Sequence, residues 1–218
     1  MKRILLTIVP VLLAISGFAQ QQLQPVKLDN EVTVSLFPDY QKKDTLGQTN
    51  YTANALDGYM VVIREPNDKS AGRLKQASDL NKVLKTYIKG IQDQSPNSVA
   101  ENVRDTTIGS LKAKVFTLST DNGGDVTLRD FMLLYTQDVT YTFEYVYDQN
   151  TADFSKKEGK AFFSSIRTAS DLNWNDQYMT QTAGLAATTK IVLFGGGAAL
   201  ILIIIIAIAG RKKGPAFG

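Results

Sequence analysis

The 218-residue sequence predicts an α+β domain, an antiparallel sheet of about six strands packed with helices, and one C-terminal transmembrane helix. Three patterns indicate this architecture. Apolar and polar residues alternate along 139–147, as expected of a strand, and apolar residues recur every three or four positions along 80–91, as expected of a helix. The uncharged apolar run 191–209 is long enough to cross a bilayer core of about 30 Å.

The first nineteen residues are typical of a secretory signal peptide. Lys2 and Arg3 form the basic start, residues 4–15 are apolar, and the segment Ser16-Gly17-Phe18-Ala19, small except for Phe18, favours cleavage after Ala19. The Phe-Ala-Gln sequence at this site is similar to the signals of Bacteroidetes-type Gram-negative bacteria. Because the chain contains no cysteine, a bacterial lipoprotein anchor is excluded.

The first half of the exported part is expected to begin as a polar lead-in and then to form a hairpin and a helix. The predicted segments are a lead-in at 20–30, a strand at 31–37, a loop at 39–50, strands at 51–56 and 59–65 around Asp57-Gly58, and a helix over 80–91 capped by Ser78 or Asp79.

The second half is predicted to add strands and to close with a helix, so that one domain spans 31–168. The predicted segments are strands at 99–108, 111–118, 126–136 and 139–147, a hairpin loop at 121–125, and a helix over 151–167 with Phe154, Ala161, Phe162, Ser165 and Ile166 facing inward. The strand 139–147 is expected to be half-buried, because its second face carries polar residues.

A polar tether at 169–190 is expected to join the domain to the membrane, with Trp174 and Tyr178 packed on the domain. The transmembrane helix is predicted over 191–210, and twelve Ile, Leu, Val and Phe residues in it favour insertion by about −4 to −7 kcal/mol. A short basic tail, 211–218, follows.

The positive charges at both ends predict the same orientation. Lys2 and Arg3 start on the cytoplasmic side, and the basic residues 211–213 stay there. We therefore expect a single-pass protein of the inner, cytoplasmic membrane, with the bulk of the chain in the periplasm and a cytoplasmic C-terminus. If the signal is retained, the protein has two spans and the same exposed domain.

Composition excludes several function classes. Between residues 20 and 190, 19 Lys and Arg stand against all 21 Asp and Glu, so the exported part is slightly acidic and no nucleic-acid partner is expected. The absence of Cys and His excludes cysteine hydrolases and His-dependent catalysis, and argues against zinc and haem sites. Turn-forming residues explain the Asp-rich loop 121–125, so we predict no metal site there. Because the residues and motifs of catalytic sites are missing, we also predict no cofactor and no enzymatic activity.

Two candidate contact surfaces remain. Tyr87 and the aromatic face of the strand 139–147 could bind an apolar or aromatic partner, although tyrosines at strand spacing more often form a core face whose hydroxyls reach the rim. The strand residues are Tyr141, Phe143, Tyr145 and Tyr147. In the apolar run, Gly195 and Ala199 are four residues apart and could let two transmembrane helices associate weakly.

The order of elements resembles the Mog1/PsbP-like superfamily over about residues 31–168. The resemblance rests on Phe37-Pro38, Tyr51-Thr52-Ala53, Tyr141-Thr142-Phe143, Phe154, Phe162 and Ser164-Ser165-Ile166. It implies an antiparallel sheet between helices, and a non-catalytic accessory or binding role with partners such as photosystem subunits or a small GTPase. The C-terminal transmembrane helix departs from the family pattern.

These observations together predict a membrane-anchored, periplasmic, non-catalytic accessory or protein-binding module, with another membrane or periplasmic protein as its partner. The alternative is a tethered domain that binds a small hydrophobic ligand or a lipid through the tyrosine strand and a groove under a helix.

Overall fold

The computed structural model describes residues 22–180, which form two antiparallel sheets and two helices. The strands are β1 (Gln24–Lys27), β2 (Val32–Leu36), β3 (Gln41–Thr45), β4 (Gln48–Asn54), β5 (Tyr59–Pro66), β6 (Ser98–Ile108), β7 (Leu111–Asp121), β8 (Val126–Tyr135), β9 (Val139–Asp148) and β10 (Arg167–Thr168). The helices are α1 (Ala77–Asp93) and α2 (Ala152–Ser164), and 3-10 turns lie at Lys69–Ala71, Gln149–Thr151 and Trp174–Asp176.

The larger sheet has seven strands in the order β3-β4-β5-β9-β8-β7-β6, and the smaller has three in the order β1-β2-β10. The small sheet and α2 cover one face of the large sheet, and α1 covers the other, so two apolar cores lie on opposite sides of it. The structure is mostly β with two helices, as the α+β prediction requires, although the strands exceed the six expected.

β9 is buried on both faces, and the prediction of a half-buried strand is wrong. Its Thr and Glu residues were expected to face solvent. Instead they lie beneath α1, where Thr142 donates to the hydroxyl of Tyr87 and Glu144 accepts from Arg129. Polar residues can occupy a core face when each finds a partner there, and period-2 alternation alone does not distinguish such a face from a solvated one.

The polar segments near the start of the domain contain strands that the sequence analysis missed. The predicted lead-in 20–30 includes β1, and its Val26 and Leu28 side chains are buried in the core. The predicted loop 39–50 includes β3 and the start of β4. β3 is a hydrophilic edge strand with mostly exposed side chains, so it has no apolar alternation to detect.

The start of α1 and the inward face of α2 differ from the predictions. α1 is preceded by Gln76, whose side chain makes no capping bond, and the predicted cap residue Asp79 is buried within the helix. The buried positions of α2 are Ser155, Gly159 and Phe162, whereas Phe154 is 72% exposed, so the predicted inner stripe is wrong there. Ala161, also predicted to face inward, is exposed.

Residues 169–180, predicted as the start of a tether, belong to the folded domain. Tyr178 is buried in the core beneath α1 and Trp174 packs against the same core, which confirms their predicted packing. No helix between residues 22 and 180 is long and apolar enough to cross a membrane. The predicted signal peptide 1–19, the transmembrane helix 191–210 with Gly195 and Ala199, and the tail 211–218 lie outside the described residues and stay predictions.

Candidate functional sites at the two ends of the domain

The structure does not bring the predicted aromatic residues together into one surface. The four aromatic side chains of β9 lie on the face covered by the small sheet and α2, and all four are buried. Tyr87 lies on the opposite face, against the core beneath α1. A binding role for this aromatic set stays a prediction, and the rings form core packing in the structure.

Each tyrosine hydroxyl of β9 ends at a carboxylate on the rim of the core. The pairs are Tyr141 with Asp29, Tyr145 with Glu158, and Tyr147 with Asp130, at 2.6, 2.6 and 3.1 Å. Burial, followed by the neighbouring carboxylates, raises the pKa of all three phenols above the ordinary value. They therefore act as neutral hydrogen-bond donors: Tyr141 fixes the β1–β2 turn of the small sheet to β9, Tyr145 fixes α2 to β9, and Tyr147 bonds to β8 within the large sheet.

Tyr87 holds α1 against the other face. Its hydroxyl donates to Glu65 Oε2 at 3.3 Å and accepts from Thr142 Oγ1 at 3.2 Å. Burial raises the pKa of the Glu65 carboxyl, although bonds from Gln48 and Tyr87 oppose the rise. Beside this cluster, the side-chain oxygens of Gln48 and Asn50 are buried without a partner among the described residues.

A buried ion pair joins β8 to β9. Arg129 Nε donates to Glu144 Oε1 at 2.6 Å, and both side chains are almost fully buried. The guanidinium also donates to Ser95 Oγ at the end of α1 and lies over the ring of Phe131. A glutamate in the middle of an aromatic strand was the sequence signal for this pair, and sequence reasoning missed it. The pair is structural, since removal of either partner would leave a buried charge.

The large sheet has two ends, which carry the candidate sites. We call the end with the β8–β9 turn (Thr136–Asp138) the base, and the end with the β4–β5 hairpin (Ala55–Gly58) the tip. β9 runs from the base to the tip over ten residues, which is about 30 Å at the usual rise of a strand. The described chain ends at Thr180, which bonds to Lys75 just before α1 begins, at the base.

A cleft of about 350 Å³ opens at the base. Four segments that are distant in the sequence form it: the β1–β2 turn, the loop after β5, the β8–β9 turn and the 3-10 turn near the end of the domain. The lining residues are Glu31, Asp68, Lys69, Gly72, Arg73, Thr136, Gln137, Asp138 and Asp176. Sequence reasoning missed this site, because no single segment carries a recognisable motif.

Hydrogen bonds fix the walls of the cleft. Asn67 Nδ2 donates to the carbonyl of Thr136 at 2.7 Å, and its backbone amide donates to the carbonyl of Asp138 at 2.8 Å. Gln137 donates from its backbone to Asp176 O and from its side chain to Asn175 O, both at 2.7 Å. The loop, the turn and the end of the domain are therefore one connected unit.

The charges in the cleft are uneven. Burial raises the pKa of the Glu31 carboxyl, and the nearby carboxylates of Asp29, Asp138 and Asp176 raise it further. Burial also acts on Asp29, but hydrogen bonds from Tyr141, Arg64 and two backbone amides outweigh it, so the pKa of Asp29 is lowered. Arg64 thus neutralises Asp29, whereas Glu31 forms no ion pair with any Lys or Arg of residues 22–180.

The tip presents two exposed apolar side chains near one carboxylate. Leu56 is 76% exposed and Phe154 is 72% exposed. Glu158 accepts from the backbone amides of Leu56 and Asp57 at 3.2 and 3.3 Å, and it lies one helical turn after Phe154. Ser155 Oγ donates to the carbonyl of Asp57 at 2.7 Å, so the hairpin and the start of α2 are joined.

The loop 121–125 also lies at the tip, and the side chain of Asp121 stabilises its turn. Asp121 Oδ1 accepts from the amides of Gly123 and Gly124, both at 2.9 Å, and both glycines have positive φ. Within residues 22–180, no group of three or more acidic side chains is arranged to hold a metal ion.

Comparisons with known proteins show similarity at the level of the fold. No protein-family model matches the chain, and no curated protein matches it. A cyanobacterial PsbP from Synechocystis is similar at 16% identity, over 70% of this chain and 96% of that one, with a TM-score of 0.49. LpqN of Mycobacterium tuberculosis, described as involved in cell envelope biogenesis, is similar at 11% identity, over 68% and 91%, with a TM-score of 0.45. The first of these proteins is a PsbP. At these identities, neither similarity indicates a ligand, a partner or an activity for this chain.

Proposed function

We propose that this protein is a membrane-anchored, non-catalytic accessory protein whose domain lies in the periplasm and docks on another protein through the tip. The observation that carries the proposal is the exposure of Leu56 and Phe154 on a backbone that Glu158 and Ser155 hold in place. Large apolar side chains that are both exposed and pre-positioned are typical of contact sites, because little ordering entropy is lost when they bind.

The position of the anchor indicates what covers the tip. The apolar run begins at Ile191, eleven residues after the described chain ends at the base. Eleven extended residues reach at most about 40 Å, so the base is the end of the domain that the proposed anchor would hold to the bilayer. The tip lies at the far end of the sheet, and in this proposal it faces away from that bilayer. A partner protein in the periplasm, with an apolar pocket for the two side chains, is the occupant that fits.

The hydrophobic-ligand alternative has less support. It needed a groove lined by the tyrosine strand, and those rings are buried under the small sheet and α2. Their hydroxyls already bond to carboxylates of the domain. The exposed apolar surface at the tip therefore favours a protein partner.

Site-specific photo-crosslinking in intact cells tests the proposal. A benzophenone side chain at position 56 or 154 should crosslink to the same heterologous protein. Leu46, 81% exposed in the β3–β4 turn at the base, is the matched control and should give no such product. Phe154→Ser should remove the crosslink from position 56 without changing the melting temperature, because the side chain is exposed. Crosslinks to a second copy of this chain, or the same product from position 46, would overturn the proposal.

A further inference from the structure

We propose that the base cleft binds a small zwitterion, with a primary ammonium beside Glu31 and a carboxylate beside Lys69 and Arg73. The ligand class is a free amino acid or a short peptide with both termini uncapped. This proposal concerns a second site, at the opposite end of the domain from the tip, and it holds whether or not the tip docks on a protein.

The size and lining of the cleft limit the ligand. About 350 Å³ is near the lower end of the volumes of small-molecule sites in proteins. No apolar side chain is among the nine lining residues, seven of which are charged or carry an amide. Recognition in such a cleft must come from charges and hydrogen bonds, so a hydrophobic ligand is disfavoured.

Three carboxylates in the lining of the cleft would bind a cation. Glu31, Asp138 and Asp176 lie close enough for their carboxylates to raise the pKa of the glutamate. No Lys or Arg of residues 22–180 lies within 4 Å of any of these three carboxylates. Arg64, which is near Glu31 in the fold, pairs with Asp29. An ammonium placed among them would remove the mutual repulsion and would donate up to three hydrogen bonds.

The lining of the same cleft also includes two cations. Lys69 is exposed at the start of a 3-10 turn and makes no ion pair in the described part of the chain. Arg73 Nη2 donates to the carbonyl of Asn175 at 3.1 Å, which orients the guanidinium, and the other N–H groups of the guanidinium can still donate to a ligand. A carboxylate between these two cations would receive charge-assisted hydrogen bonds.

The gap between the two sets of charges indicates a zwitterion in preference to a simple ion. Acidic and basic side chains line the same cleft, yet no salt bridge crosses it. A ligand with opposite charges at its two ends satisfies both sets at once, whereas a singly charged ligand leaves one set unpaired.

Calorimetric titration of the full chain in a nonionic detergent tests the proposal. Glycine, diglycine and triglycine form a series of increasing charge separation, and at least one member should bind with a dissociation constant in the millimolar range or tighter. The best member distinguishes a free amino acid from a peptide. Its N-acetylated and C-amidated forms, which each lack one charge, should both bind about tenfold or more weakly.

Two variants assign the binding to this cleft. Glu31→Gln and Lys69→Gln should each weaken binding about tenfold, while the capped ligand that lacks the corresponding charge should lose little further affinity. Asp153→Asn and Lys157→Gln make the same charge changes at exposed positions of α2 near the tip and should leave binding unchanged. Melting curves confirm that each variant is folded. Absence of binding across the series, equal binding of capped and uncapped peptides, or equal loss in the control variants would overturn the proposal.

Discussion

At the scale of single residues, the side chain of Gln177 holds the base together in the way a strand would. It is fully buried, its Nε2 donates to the carbonyls of Lys112 and Tyr135 at 2.7 and 2.8 Å, and its Oε1 accepts from the amide of Lys112 at 2.8 Å. These bonds attach the last part of the domain to the ends of β7 and β8. A residue in the predicted tether is thereby a structural part of the cleft region.

Gln177→Leu should lower the free energy of unfolding by about 2–3 kcal/mol, because it removes the side-chain partner of one buried and two part-buried backbone groups. Chemical denaturation measures the change. Gln41→Leu, at an exposed position of the edge strand β3, is the matched control and should change stability by less than about 0.5 kcal/mol. Equal effects of the two substitutions would contradict the role assigned to Gln177.

The contribution of Glu31 to the stability of the fold should depend on pH. Burial and the carboxylates of Asp29, Asp138 and Asp176 raise its pKa, despite a hydrogen bond from Tyr141, so folding favours the protonated form. The stability that this form provides is complete below the unfolded pKa of about 4.5 and is lost as the pH rises through the folded pKa.

Glu31→Gln should therefore be at least as stable as the natural protein at pH 7, with a difference that shrinks toward pH 4. Thermal unfolding of both proteins at several pH values measures this difference, in which the other titrating groups largely cancel. Asp29→Asn is the informative contrast, because the pKa of Asp29 is lowered and its stabilisation is present at neutral pH and lost on acidification. A Glu31→Gln protein that is clearly less stable at pH 7 would contradict the electrostatic account of the cleft.

At the scale of elements, the buried face of α2 depends on one glycine. A Cβ at Gly159 would lie 3.0 Å from the ring of Tyr145, so the helix can approach β9 only because this position has no side chain. The close approach sets which residues face the sheet. Ser155, Gly159 and Phe162 follow the helical repeat inward, and Phe154 is turned out to the tip.

The two phenylalanines of α2 should consequently differ in their contributions to stability. Phe162→Ala should cost about 3–5 kcal/mol, as expected when a fully buried aromatic ring is removed. Phe154→Ala should change the free energy of unfolding by less than about 0.5 kcal/mol. Denaturant titrations of the two variants provide the comparison. Similar costs would mean that the inward face includes Phe154, as the sequence pattern predicted.

The elements that sequence reasoning located are those with local signals. β7 and β9 carry alternating apolar residues, β5 and β8 contain continuous apolar runs, and turn-forming dipeptides mark two of their hairpins. In the small sheet only β2 carries such a signal, because β1 has four residues and β10 has two, and β10 pairs with β2 from more than a hundred residues away. The cleft was missed for the same reason, since its walls come from four distant segments. The tip was missed because an exposed phenylalanine looks like a core residue when only the sequence is read.

At the scale of the whole molecule, the base and the tip set an axis along which the proposed functions are arranged. The zwitterion cleft lies at the base, near the point where the described chain ends at Thr180. The apolar pair lies about 30 Å away at the other end of β9. If residues 191–210 span the bilayer, the cleft faces the membrane and the apolar pair faces the periplasm. The orientation of the chain is therefore the property on which the assignment of partners depends.

Cysteine accessibility tests this orientation with no background, because the natural chain contains no cysteine. Asn150→Cys, exposed near the tip, should react with a membrane-impermeant maleimide in intact spheroplasts. Gly214→Cys, in the basic tail, should react only after the membrane is permeabilised, since positive residues keep this end in the cytoplasm. A chain that ends at residue 190 should also leave the membrane fraction, because the whole apolar run is gone. Labelling of position 214 in intact spheroplasts, or membrane retention of a shortened chain whose signal peptide has been cleaved, would contradict the proposed anchor and with it the outward direction of the tip.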